Sequence, residues 1–309
     1  ITGSIIVATL VTGIIAESPI GWPGAIYIFG ALNGCWCILW ALFGYNNPDV
    51  HPSITVEEKM YIKTSLQQET LTKIPTPWVK IFTSIGVWGI ILSQIGSNFI
   101  VTMLSTENSQ FVSLGLKFDI SENALASGLP TLLSIACGVV MAFLSDYLIT
   151  HKILRIVNAR RCFQMIGVTG AGLSLVLSTF VPKEHHYWVI PLLCLESFFT
   201  MACMVGGSDI SGYDLSPMFA SVIYGVSGTL SDAVGLFAPL IVDWVVYDKS
   251  NSSQWTLVFG IAAIIGITPS IFFVLVASDK RQEWGDYHAP PENIRRLSIS
   301  SITHAVVKE

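Results

Sequence analysis

Charge is scarce in this chain of 309 residues. Asp, Glu, Lys and Arg make up only 12% of the residues, about half of the roughly 25% that is usual in soluble domains. Hydrophobic residues make up 52%, and the few charges are grouped so that long uncharged stretches lie between them. A large soluble enzyme would have to bury every one of these stretches as a core helix, so the composition argues against that class.

Several signatures of enzyme chemistry are also missing. The sequence contains no HExxH zinc motif, no GxSxG nucleophile elbow and no phosphate-binding P-loop. The six cysteines form no CxxC pair. Neighbouring His185 and His186 have no partners at a metal-binding spacing, and we interpret them as part of a solvated turn. The sequence therefore predicts a protein that is not an enzyme, with no metal or organic cofactor and no nucleic-acid partner.

What the chain does contain is a series of long apolar runs. A bilayer core about 30 Å thick needs about 20 apolar residues per helix. Eight runs fit, the first being the shortest: 1–16, 23–44, 85–105, 124–145, 163–181, 187–211, 217–247 and 255–278. They predict an all-α, multi-pass protein embedded in membrane lipid. The first run has no basic flank and does not resemble a signal peptide, so we expect a helix cut at its start, with sequence missing upstream.

The basic residues predict an orientation in the membrane. Thirteen of the sixteen Lys and Arg residues fall in loops 45–84, 147–162 and 212–216 or in the C-terminal tail, and an excess of basic residues marks the cytosolic side. Both chain ends are then cytosolic. The glycosylation sequon at Asn251 falls on the opposite side, where glycosylation occurs.

Short motifs spread over the chain resemble those of one transporter family. They include Gly21-Trp22-Pro23, His51-Pro52, Asp214-Leu215-Ser216-Pro217 and Trp255-Thr256-Leu257-Val258-Phe259. Their order and spacing, from about residue 3 to residue 284, are similar to the anion:cation symporter branch of the major facilitator superfamily. That branch includes sialin, the vesicular glutamate transporters and the sodium–phosphate cotransporters.

The resemblance implies a major facilitator fold of twelve helices in two six-helix bundles, with eight of the twelve in this chain. Residues 1–44 would be the last two helices of the N-terminal bundle, and 45–84 a cytosolic loop between the bundles. Residues 85–278 would be the C-terminal bundle, and 279–309 a cytosolic tail that we expect to be disordered. The missing N-terminal helices would be needed for a complete transporter.

The resemblance also implies a function. We expect a secondary active transporter that moves a small, anionic solute, such as phosphate or an organic anion, by alternating access. Na⁺ or H⁺ would be the coupling ion, and the membrane would be the plasma membrane or a lysosomal or vesicular one. The chain departs from the family at Ser211-Gly212, where many members have Asn-His. A truncated or pseudo-transporter with a regulatory role is the alternative; the short loops fit a receptor or a channel less well.

Acids inside apolar runs are the strongest site candidates. Glu196, Asp209 and Asp232 lie in such runs, where a carboxylate costs at least about 2.5 kcal/mol and is usually functional. Glu196 and Asp232 lie about 26 and 22 Å from the turn between their helices, at 1.5 Å per residue. We expect both to face one cavity with Asp209, Ser97 and Asn98, where two neighbouring carboxylates could not both ionise easily. The alternative is that the two helices point these side chains apart.

A second candidate is a latch at the cytosolic end. Asp146 ends the fourth span and is followed by Arg160 and Arg161, while Ser216 and Pro217 suit the N-cap and first position of the next helix. We expect Asp146 to contact that helix start or one of the arginines and to stabilise a state closed to the cytosol. The alternative is that Asp146 only marks a solvated helix end.

Two groups of glycines are predicted to bring helices close together. They are Gly167, Gly170 and Gly172 in the fifth span and Gly225, Gly228 and Gly235 in the seventh. Small residues of this kind let the backbones of membrane helices approach closely.

Overall fold

The computed structural model describes residues 18–45, 48–65, 75–116, 118, 120–249, 251–278, 280–282 and 284, with isolated positions 8, 11, 12 and 15. The chain divides into two compact units, Ile1–Thr76 and Pro77–Glu309. This division falls inside the segment 45–84 that we expected to join two bundles. The predicted span 1–16 and most of the tail 279–309 lie outside the described residues.

The described part of the first unit includes a long apolar helix and a short polar helix. Helix α1 spans Gly21–Phe43, a 3-10 turn spans Pro48–Val50, and α2 spans Val56–Ser65. The Thr55 Oγ1 accepts a hydrogen bond from the backbone N–H of Glu58 at 3.3 Å. A side-chain oxygen in this position satisfies one of the free N–H groups at a helix start, which is why the chain becomes helical at Val56.

The second unit is a bundle of long helices. Its elements are α3 (Trp78–Thr83), α4 (Ile85–Gln110, continued by a π-helical turn Phe111–Gly115), α5 (Ile120–Thr150), α6 (Ile156–Ser178), a 3-10 turn (Lys183–Trp188), α7 (Val189–Gly206), α8 (Ser208–Leu215), α9 (Ala220–Gly235), α10 (Phe237–Val245) and α11 (Ser252–Val276).

Seven stretches among the described residues are long and apolar enough to cross a membrane. They are Gly21–Phe43, Ile85–Gly115, Gly128–Thr150, Ile156–Ser178, Glu184–Leu215, Ala220–Val245 and Ser252–Val276. Each overlaps one of the apolar runs from the second to the eighth, so the prediction of a multi-pass helical membrane protein is confirmed for the part of the chain that the structure describes.

The helices extend beyond the predicted apolar runs. The predicted basic loop 147–162 is mostly helical, because α5 continues to Thr150 and α6 begins at Ile156. The segment 106–123, between the third and fourth apolar runs, is likewise helical at both ends. The predicted loop 212–216 is also largely helical, since α8 continues to Leu215. Hydropathy marks only the apolar part of a helix, and a helix can continue with polar residues once it leaves the lipid.

Packing in the second unit centres on α4, α6 and α7. Helix α4 packs against α9 and α11, α6 packs against α7 and α11, and α7 also packs against α5. The largest buried side chains include Phe99 and Phe111 from α4 and its π turn, and Trp255 and Phe259 from α11. The rings of Phe111 and Phe259 meet edge to face with their centroids 5.2 Å apart, an arrangement that aromatic pairs prefer.

Only some of the predicted glycine contacts exist. A Cβ atom on Gly167 would lie 2.7 Å from the backbone N of Cys203, so this glycine does allow α6 to approach α7. The equivalent prediction for Gly225 and Gly228 is wrong, because nothing lies within 4 Å of the Cβ position of either. The α4–α11 contact instead uses Gly96, whose Cβ would lie 2.9 Å from the carbonyl oxygen of Gly266.

Candidate functional site

A cavity of about 430 Å³ lies in the second unit and is lined by α4, α9 and the region where α7 passes into α8. Its lining combines two carboxylates, two amides, two tyrosines and two serines with a few small or apolar groups: Gln94, Ser97, Asn98, Val101, Met204, Asp209, Tyr213, Tyr224, Gly228, Ser231 and Asp232. Within the described part of the chain, no Lys, Arg or His side chain lines it. The cavity is therefore polar and acidic.

Asn98 and Asp232 connect two walls of the cavity. The Asn98 Nδ2 donates a hydrogen bond to the Asp232 Oδ1 at 3.2 Å, which joins α4 to α9. At 1.5 Å per residue, Asn98 lies about 20 Å along α4 and Asp232 about 18 Å along α9. Both therefore lie near the middle of their apolar stretches, and the structure brings these two predicted residues into contact.

Asp209 lies on α8, at the second position of that short helix. Its Oδ1 accepts a hydrogen bond from the Ser208 Oγ at 3.4 Å, and its carboxylate also accepts one from the Gln94 side chain. Ser97, the fourth predicted residue in the cavity lining, donates from its Oγ to the Ser93 carbonyl at 3.0 Å. Four of the five residues predicted for a cavity thus line the same one.

Glu196 is the exception, and its predicted pairing with Asp232 is wrong. Its side chain is fully buried and lies outside the cavity lining. Its Oε1 accepts a hydrogen bond from the Thr200 Oγ1 at 2.8 Å, and its Oε2 accepts one from the Ser197 Oγ at 3.4 Å. Counting residues from a turn gives the depth of a side chain but not the direction in which it leaves the helix axis.

Gln164 organises the break between α7 and α8, and the sequence did not point to it. Its Oε1 accepts a hydrogen bond from the backbone N–H of Ser208 at 3.0 Å, one of the N–H groups that a helix start leaves without a partner. Its Nε2 donates to the Ser97 Oγ at 2.9 Å and to the Ser270 Oγ at 3.0 Å. This buried amide therefore holds α4, α6, α8 and α11 together beside the cavity.

The break itself has a local cause in Gly207. A Cβ atom at this position would lie 2.5 Å from both the Gln164 Oε1 and the Cys203 carbonyl oxygen. Only glycine leaves room for the amide to reach the start of α8. Two adjacent glycines inside an apolar run, Gly206 and Gly207, were the sequence signal available for this break, since membrane helices are often interrupted where a site is formed.

Two tyrosines form an aromatic wall that sequence reasoning also missed. The rings of Tyr213 and Tyr224 lie 5.2 Å apart at an interplanar angle of 42°. The Tyr224 hydroxyl accepts a hydrogen bond from the backbone N–H of Gly212 at 2.8 Å. This bond fixes the ring of an α9 residue against α8.

In the predicted latch, Arg160 pairs with Asp214 and not with the expected Asp146. The Arg160 Nε donates to the Asp214 Oδ2 at 2.8 Å, and its Nη1 reaches the Ser145 Oγ and the Gly206 carbonyl, each at 3.4 Å. Asp146 is exposed and forms no ion pair with another described residue. The prediction that Asp146 contacts an arginine is wrong here, because α5 directs the Ser145 side chain inward and the next residue outward.

The other predicted latch residues bind backbone groups. The Arg161 Nη2 donates to the Ala277 carbonyl, at the end of α11, at 2.6 Å. The Ser216 Oγ accepts from the backbone N–H of Phe219 at 3.4 Å. Helix α9 begins only at Ala220, so Ser216 stabilises the turn before the helix, and Pro217 is not the first helical residue.

Asn251 lies at the start of α11 and is exposed. Its Oδ1 accepts a hydrogen bond from the backbone N–H of Ser253 at 3.0 Å, so it caps the helix. An N-linked glycan would be attached to the side-chain nitrogen of Asn251, which takes no part in this cap.

Comparison with known proteins places this bundle in a family. Residues 1–239 match the sequence profile of the Major Facilitator Superfamily. The chain belongs to the major facilitator superfamily. This membership confirms the predicted fold class, and it confirms the prediction that this chain is not an enzyme.

Individual superfamily members are similar over most of the chain. It is 30% identical to vesicular glutamate transporter 3 of Danio rerio, over 93% of this chain and 48% of the relative. It is 31% identical to sodium-dependent phosphate transport protein 1 of Homo sapiens, over 90% of this chain and 59% of the relative. A putative inorganic phosphate cotransporter of Drosophila ananassae is 28% identical over 97% of this chain and 62% of the relative. The chain thus spans about half to three fifths of the length of these relatives, and the predicted resemblance to this branch is confirmed.

Proposed function

We propose that the protein containing this chain is a secondary active transporter that moves a small anionic solute across a membrane, with Na⁺ or H⁺ as the coupling ion, by alternating access. The relatives are named as glutamate and phosphate transporters, one of them sodium-dependent. Both named solutes are small anions. The proposal extends that chemistry to this chain.

The observation that carries the proposal is the polar cavity midway along α4 and α9. Polar and ionisable groups are costly at this depth and are usually retained for transport or coupling. Here they surround a space of about 430 Å³, which is large enough for a small solute. The interrupted helix α7–α8 borders the same space, as is common at the binding sites of secondary transporters.

Asp232 is our candidate for the coupling residue. Its carboxylate lines the cavity, is exposed, and accepts a hydrogen bond from Asn98. An accessible carboxylate at mid-membrane depth can bind a proton or a sodium ion from water that enters the cavity. Glu196 is less suited to this role because protein surrounds it completely.

Uptake into liposomes tests the proposal. The whole protein is reconstituted, and accumulation of labelled phosphate and labelled glutamate is measured with an imposed Na⁺ or H⁺ gradient. We expect gradient-driven accumulation of at least one of these anions. Asp232→Asn should lose accumulation but keep exchange of solute across the membrane.

The matched control is Asp243→Asn, which removes one carboxylate from α10 at an exposed position outside the cavity. This variant should accumulate solute like the unaltered protein. Uptake no faster than in protein-free liposomes, for both anions and both gradients, would refute the transporter proposal.

A further inference from the structure

We infer that the cavity binds a positively charged ammonium group carried by the transported solute. This inference rests on the proposed transport function and narrows the solute class. The solute would be a small amine-bearing molecule, zwitterionic if it also carries the expected acid group, and not a simple inorganic anion.

The charge of the cavity gives the first argument. Asp209 extends from α8 and Asp232 from α9, so carboxylates line the space from two different helices. No basic side chain among the described residues lines it. A cationic group of the solute would be attracted to these walls, and its acid group would have to lie away from Asp209 and Asp232, since like charges brought together without solvent oppose binding.

A buried hydroxyl gives an independent argument for a ligand. Ser231 is only 3% exposed, yet it belongs to the cavity lining. Its Oγ has no hydrogen-bond partner among the described residues. Buried polar atoms in native proteins almost always have a partner, so a donor from a ligand in the cavity, such as an ammonium N–H, would complete this group.

The aromatic wall favours an organic ammonium group over a bare metal ion. Tyr213 and Tyr224 present neighbouring rings to the cavity, and ammonium groups bind well to aromatic faces. A hard metal cation instead needs a close shell of oxygen atoms. The cavity volume of about 430 Å³ far exceeds that of a single water molecule, about 30 Å³, so an ion alone would not fill it.

The bonds already present at the carboxylates support the same choice. One Asp232 oxygen accepts from Asn98, and one Asp209 oxygen accepts from Ser208. The second Asp232 oxygen is free of this bond, and the Asp209 carboxylate, which also accepts a hydrogen bond from Gln94, can still accept a further one because each carboxylate oxygen offers two acceptor sites. Two oxygens on opposite helices match the several N–H donors of a primary ammonium group.

Thermal unfolding of the purified whole protein in detergent tests the inference without requiring transport. Methylamine hydrochloride, ethanolamine hydrochloride and sodium chloride are titrated separately at equal ionic strength. A ligand that binds only the folded state raises the unfolding temperature with its concentration. We expect at least one of the two amines to do so, and sodium chloride to have no comparable effect.

Variants locate the binding. Asp209→Asn combined with Asp232→Asn should weaken amine binding at least tenfold, and the control Asp243→Asn should not change it. If the double variant fails to fold, Gly228→Leu replaces it. Gly228 lines the cavity, and nothing lies within 4 Å of its Cβ position, so the leucine side chain should extend into the cavity and should also abolish amine binding.

The inference is overturned if neither amine stabilises the protein, if sodium chloride stabilises it equally, or if the variants bind as well as the unaltered protein. Failure of the transporter proposal gives a different result. Amine binding without any anion uptake in liposomes would contradict the transporter proposal but support the ammonium site. Phosphate accumulation without amine binding would support the transporter proposal but contradict the ammonium site.

Discussion

The ion pair between Arg160 and Asp214 offers the sharpest test of the structure. The Nε of Arg160 and the Oδ2 of Asp214 are 2.8 Å apart, with side-chain exposures of 11% and 25%. The guanidinium also bonds to the Gly206 carbonyl, at the point where α7 ends. Replacing Arg160 with Met would therefore leave a poorly solvated carboxylate on α8 without its cation and release the end of α7.

The size of the effect follows from the burial of the pair. Removing one member of a fully buried ion pair costs about 3–5 kcal/mol, whereas an exposed pair contributes about 0–1 kcal/mol. This pair lies between those limits, so we expect Arg160→Met to lower the free energy of unfolding by about 2 kcal/mol. At about 2–4 °C per kcal/mol, the unfolding temperature should fall by about 4–8 °C.

A double-mutant cycle isolates the pair from other effects. Arg160→Met, Asp214→Asn and the double variant are compared by thermal unfolding in detergent. Residues in direct contact typically couple by about 0.5–3 kcal/mol, and we expect about 1–2 kcal/mol here. Asp146→Asn is the matched control, because it removes an exposed carboxylate near the same end of the bundle and should change the free energy of unfolding by less than about 0.5 kcal/mol.

Two results would refute the reasoning. One is additivity of the two single variants to within about 0.3 kcal/mol, which is the behaviour of distant residues. The other is a loss of stability in Asp146→Asn as large as that in Asp214→Asn. That result would indicate that Arg160 pairs with Asp146, as predicted from the sequence.

Three further predictions concern packing, orientation and coupling. Gly167→Val should lower the unfolding temperature, since overpacking costs about 1–3 kcal/mol. Gly225→Ala should not lower it, because nothing lies within 4 Å of the Cβ position of Gly225. Equal effects of the two variants would contradict the packing of α6 on α7. Enzymatic deglycosylation should increase the electrophoretic mobility of the protein, and Asn251→Gln should remove that shift; a glycan found within 45–84 would reverse the orientation. Glu196→Gln should retain gradient-driven accumulation in liposomes because Glu196 lies outside the cavity, and its loss would restore this residue as a coupling site.

Much of the architecture could be predicted from the sequence because lipid imposes a simple rule. A helix that crosses a bilayer needs about 20 apolar residues, so the apolar runs marked the long helices before any contact was known, whereas the short helices α2 and α3 lie in the polar segment 45–84. The same rule identified Asp209 and Asp232 as site candidates, because charged residues at that depth are costly and are usually functional. Both line the cavity.

The tertiary structure decided which side chains face one another. Asp232 bonds to a residue 134 positions away, and Arg160 to one 54 positions away. Residue counting gave the depth of Glu196 but not its direction, so only the packing of α7 showed that it is enclosed. Nothing in the sequence distinguishes Gln164, yet its side chain accepts a hydrogen bond from the backbone N–H of Ser208, directly after the helix break at Gly207. Rise per residue is a local property of a helix, whereas rotation about its axis is set by side chains that meet it from distant parts of the chain.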